Sequence, residues 1–206
     1  MKINILKVIR EKLDREFIMK NGELEMDALA DVLEVSADIP FVGSLVKLGK
    51  VGSNVMDYLY VRKLYKFLEG SKVEQEKVDE FVSSLDEKEF IRIGHYMTSL
   101  LYSSEDEEKA LLMGYVYKAR LNGEIDNSMM LRLCSIIKLS FVEDLKLLPE
   151  YKEGSDKDTI QASNFINWGL IDNDPGGIWY DEPSWDLNNV GITLCEILEK
   201  EGWIER

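Results

Sequence analysis

The sequence predicts a mainly α-helical chain: a helical bundle over residues 1–150, then a small α+β module over 155–206 with a short β-hairpin. Three observations predict it. Apolar residues recur at spacings of three and four through the first 150 positions, with little of the alternation that marks strands. The last fifty residues change character, because a turn-rich, aromatic stretch separates two helical ones. Finally, 206 residues of which 45% are apolar are enough for a proper core, and with 14 glycines and 4 prolines no stretch has the composition of a long linker.

The elements follow in chain order. Ile5, Leu6, Ile9, Leu13 and Phe17 share one face of a first helix, which Asn21-Gly22 stops. Leu24 to Val35 forms a second, ending before Pro40, whose ring disfavours helical geometry at Ile39. A third stretch from Pro40 to Leu68 is interrupted near Gly49 and again at Gly52-Ser53-Asn54, where Asn54 is placed to cap a new helix. Helices are expected over 73–85, 87–102, 105–121 and 127–148. Asp86-x-x-Glu89 and Ser104-x-x-Glu107 read as capping boxes, and the acidic run Glu105-Asp106-Glu107-Glu108 suits the positive end of a helix dipole. In the last of these helices Met130, Leu133, Cys134, Ile137, Phe141, Leu145 and Leu148 form a broad stripe for burial in a bundle. Pro149 and Gly154 end the bundle. A helix closing at Gly169, a hairpin over Ile171–Leu187 and a final helix complete the chain.

The 39 acids and 25 bases give a formal charge of −14, which repels nucleic acid and anionic lipid at long range. Cys134 and Cys195 lie far apart among apolar residues at helical spacing and read as reduced core thiols. The first seventeen residues are charged throughout, unlike a secretory leader, so a cytoplasmic location is expected.

Residues 40–53, PFVGSLVKLGKVGS, nearly spell a phosphate-binding loop, but the pattern fails on inspection. Five residues separate Gly43 from Gly49-Lys50 where four are required, Val51 replaces the magnesium-binding hydroxyl, and no strand precedes the loop. The longer stretch 40–68 is informative for charge. Lys47, Lys50, Arg62, Lys63 and Lys66 against Asp57 alone make it locally basic, beside apolar residues such as Phe41, Leu45, Leu59 and Leu64. It reads in two ways: a helical hairpin packed in the bundle with its bases facing the acidic helices around 74–89, or an amphipathic segment for a membrane surface or a partner groove. The apolar run from Ile39 to Val46 is too short to span a bilayer.

Catalytic and metal-binding patterns are not found. The single histidine, His95, lies among apolar residues of a helix and reads as a core or boundary residue. Counted from Asp172 as a calcium loop, Gly176 stands where the fifth-position ligand is required and Pro183 where the clamping glutamate is, so the segment reads as an acidic hairpin turn. Gly-x-Ser-x-Gly, His-Glu-x-x-His and Cys-x-x-Cys are missing. No cofactor and no metal are expected, and the chain is expected not to be an enzyme.

The order FINWGLI, DPGGIWYDEPSWDL, NNVGITLCEIL resembles the closing half of a winged-helix domain, with Leu187, Val190 and Gly191 matching its Leu-Thr-x-x-Gly pattern and Asn188 in place of the threonine. The resemblance covers about fifty residues and implies that the helix before the wing and the wing tip make the contacts. In that family those contacts are to DNA. Here residues 154–206 carry eleven acids and three bases, and such a surface does not displace counterions from phosphates. The module is therefore expected to bind protein or a second copy of itself, with Trp168, Trp179, Tyr180 and Trp185 as the contact surface. The alternative is that these aromatics fill the module's own core. The stretches IPFVGSLVKL and ALLMGYVYKARLNGEID resemble those of uncharacterised bacterial all-helical proteins, loosely like the tellurite-resistance TerB domain.

The functional expectation is a non-enzymatic interaction or regulatory protein of a bacterial cytoplasm, docking through its C-terminal module. The alternatives are a membrane-associated or membrane-acting protein using 40–68, and a winged-helix DNA-binding regulator whose contacts come from that same basic stretch.

Overall fold

In the computed structural model the described residues are 55–152, 160–174 and 184–205, and among them are eight α-helices and one two-stranded sheet. The helices expected over 5–17 and 24–35, and the beginning of the third, lie outside the described residues. The chain divides into two compact units, Met1–Gly114 and Tyr115–Arg206.

In the first unit, α1 (Val55–Gly70) buries Leu64, Phe67 and Leu68 at helical spacing. Helix α2 (Gln75–Ser83) is shorter than the expected 73–85 and buries Val78 and Phe81, one turn apart. Helix α3 (Glu87–Ser103) starts where the first capping box places it, with the Asp86 carboxylate accepting from the Glu89 N–H at 2.8 Å. It turns Ile93, Gly94, Met97, Leu100 and Leu101 inward. Helix α4 (Glu107–Leu121) departs from the expected start at 105. The second capping box does not form: Ser104 sits in extended backbone at the end of α3, and its hydroxyl donates to the Asp106 carbonyl. Asp106 itself caps α4, its carboxylate accepting from the Lys109 N–H at 2.8 Å. Residues Ala110, Leu112, Met113, Gly114, Val116, Tyr117, Ala119 and Leu121 are all buried, so α4 is apolar around most of its circumference. A Cβ added at Gly114 would press into the Phe67 carbonyl oxygen and lie 2.9 Å from the Gly70 Cα, so only glycine lets α1 and α4 pack backbone against backbone there.

The division between units falls within α4, and the boundary expected near 150–155 lies inside the second unit. That unit holds residues on either side of 150 together. The Tyr151 ring meets Phe165 edge-on at 5.1 Å, Asn164 Nδ2 donates to Asp144 at 2.8 Å, and Lys152 pairs with Glu199 at 2.8 Å.

The single helix expected over 127–148 is three elements: α5 (Asn127–Leu139), α6 (Val142–Leu145) and a 3₁₀ turn (Leu148–Tyr151). Asp126 caps α5 by accepting from the Met129 N–H at 2.7 Å. The break comes at Ser140 and Phe141, both in extended backbone with ψ 156° and 129°. Ser140 is buried, and both its N–H and its hydroxyl donate to the Ile136 carbonyl, at 2.9 and 2.6 Å, closing the last turn of α5. Most of the expected stripe is nevertheless buried: Met130, Leu133, Cys134, Ile137, Leu145 and Leu148. Phe141 is the exception, turned outward and 68% exposed.

The last fifty residues run helix, strand, strand, helix. Helix α7 (Ile160–Asn167) closes at Gly169, whose φ of +71° is the left-handed conformation that glycine adopts without a Cβ clash. Two bonds complete the closure, Gly169 N–H to Ile166 carbonyl and Leu170 N–H to Phe165 carbonyl; the same pattern ends α4 at Gly123. Strands β1 (Ile171–Asp174) and β2 (Ser184–Leu187) pair antiparallel, with Ile171 opposite Leu187 and Asp172 opposite Asp186. Alternation puts Ile171 and Leu187 in the core and the two aspartates in solvent. Asn188 then caps α8 (Asn189–Lys200), its side-chain oxygen accepting from both the Val190 and Gly191 N–H groups. A Cβ at Gly191 would run into the Leu170 carbonyl oxygen, so the glycine lets α8 start directly against the turn that leads into β1.

Candidate interaction surface

The basic stretch is the first candidate. Lys47 and Lys50 lie outside the described residues, whereas Arg62, Lys63 and Lys66 are on α1. Lys63 is buried, with its ammonium 2.9 Å from the carbonyl oxygens of both Tyr102 and Ser104. It therefore satisfies orphan acceptors at the negative end of α3. Burial lowers the Lys63 pKa, and the carboxylate of Asp106 opposes that shift. Arg62 pairs with Glu107 at 2.8 Å and Lys66 with Glu69 at 2.8 Å. The bundle reading placed these bases against the acids of 74–89. Here Arg62 meets Glu107 in the 105–108 run, Lys66 meets Glu69 of the same helix, and Lys63 is held by main-chain carbonyls. In the described part of the stretch, then, all three cations have partners inside the first unit, and Lys63 does not face outward as a membrane or partner contact.

The aromatic set divides as well. Trp179 and Tyr180 lie outside the described residues. Trp168 follows α7, half-buried, its ring 5.9 Å from Phe165. Together with Tyr151 it forms a row of three edge-packed rings, a core arrangement that leaves only part of the indole for a partner. Trp185 on β2 is half-buried too, and its indole N–H is buried with no hydrogen-bond partner among the described residues. On the outer face of the hairpin, Asp172 and Asp186 stand directly opposite each other, with Asn188 Nδ2 donating to Asp172 at 3.1 Å. Like-charged neighbours directly opposite in a strand pair cost stability.

Among the described residues, the most exposed large apolar side chains are ones the sequence did not single out as a surface. Leu139 is 62% exposed, Phe141 68% and Ile160 78%. All three belong to the second unit. Leu139, the last residue of α5, points away from the face that buries Leu133 and Ile137, and the break at buried Ser140 turns Phe141 outward beside it. In a continuous helix Phe141 would continue the buried stripe one turn beyond Ile137, and for that reason the sequence pattern assigns it to the core. Nothing local sets Ser140 apart, since Ser135 makes the same bond to the carbonyl four residues back within unbroken α5.

The groups with chemical potential are held quiet. Neither cysteine is in a disulfide, and both are buried. Burial raises the Cys134 pKa, and burial together with Glu199 raises that of Cys195 to about 12. His95 is exposed on α3 rather than set in the core. No group of three or more potential metal ligands occurs among the described residues, and no helix among them is long and apolar enough to cross a membrane. No family model, curated protein or solved structure matches this chain.

Proposed function

We propose that this chain is a non-enzymatic interaction or regulatory protein that docks another protein, or a second copy of itself, through its second unit. The observation that carries this reading is the exposure of Phe141 and Leu139 at the helix break, in a unit whose other large aliphatic side chains mostly pack inside. Aromatic side chains are enriched in protein interfaces, where a few central anchors carry most of the binding energy. The closing residues, in this reading, form a winged-helix-like module. Its support is the order of α7, the hairpin and α8, with Asn188 serving as the cap in place of threonine and Gly191 admitting the close approach to Leu170. Its partner is protein rather than nucleic acid, because residues 154–206 carry eight more acids than bases.

The test is Phe141→Asp. The side chain is exposed, so the urea midpoint should stay within error of the parent. Association, read by sedimentation for self-association and by cross-linking in the native host for a second protein, should weaken at least tenfold. Association at the parent level with the fold intact would overturn the proposal.

A further inference from the structure

We draw no further inference here: the strongest candidate, the exposed apolar residues Leu139 and Phe141 at the break between α5 and α6 with Ile160 at the start of α7, belongs to the surface already described, and nothing in the structure shows what covers it.

Discussion

The ammonium of Lys63 lies 2.9 Å from the main-chain carbonyl oxygen of Ser104, a residue 41 positions further along the chain. One long side chain of α1 thereby ends α3, and the turn that follows carries Asp106 into position to begin α4. The expected cost of Lys63→Met is about 1–3 kcal/mol, because the apolar stem is kept while two carbonyls lose their donor. Arg62→Ala, which removes an exposed ion pair, should cost less than about 1 kcal/mol. Urea denaturation of the two variants decides the order, and equal losses would mean that the buried contact has no special weight. The pH dependence gives a second readout. The folded pKa of Lys63 is lowered from 10.5, so the unfolded chain binds the proton more tightly. Stability from this group therefore rises as pH climbs toward 10.5, and Lys63→Met should lack that rise.

Asp106 rather than Ser104 caps α4, and substitution separates the two. Asp106→Ala should cost about 0.5–2 kcal/mol, and Asp106→Asn should recover most of it, since asparagine accepts the Lys109 N–H equally well. Were Ser104 the cap, Asp106→Ala would be close to neutral. Thermal melts followed by circular dichroism are sufficient to tell.

Gly191 and Gly123 require glycine for different reasons, and alanine should report the difference. At Gly191 the new methyl meets the Leu170 carbonyl oxygen, which is itself pinned by the Asn188 N–H at 3.0 Å. Gly191→Ala should reach or exceed the upper end of the roughly 1–3 kcal/mol typical of overpacking. At Gly123 nothing lies within 4 Å of an added Cβ, and only the φ of +75° is strained, so the expected cost is roughly 1–2 kcal/mol. Comparable losses in chemical denaturation would contradict the packing of α8 on the turn before β1.

Cys134 and Cys195 should be unreactive toward a thiol reagent at pH 8 in the folded protein and both reactive in denaturant. The raised Cys195 pKa sets a pH signature. Its contribution is fully present below the unfolded value near 9 and is lost as pH rises toward about 12, because the unfolded thiol gives up its proton first. Cys195→Ala should flatten the alkaline decline in stability over that window. A slope unchanged from the parent would show that the thiol is solvated in the folded state.

Much of the helical framework was legible from local chemistry. The Asp86 cap, the closure at Gly169, the hairpin between the last two helices, and both core thiols each rest on a few adjacent residues whose preferences agree with the fold. Less of the surface was legible. Lys63 reads as one more base of an exposed stripe, and only the arrival of the α3 C-terminus makes it a buried donor. Phe141 reads as core by periodicity, and only the break at Ser140 turns it out.

Sequence by itself determined the α-helical class, the helix–strand–strand–helix order of the last fifty residues and their acidic character, since these follow from spacing, capping residues and composition. The tertiary structure decided where α4 starts, where the long helix breaks, which lysine is buried and where the compact units divide. Those outcomes depend on residues distant in the chain, whose carbonyls, carboxylates and apolar surfaces compete for the same side chains, and periodicity within one segment carries no record of that competition.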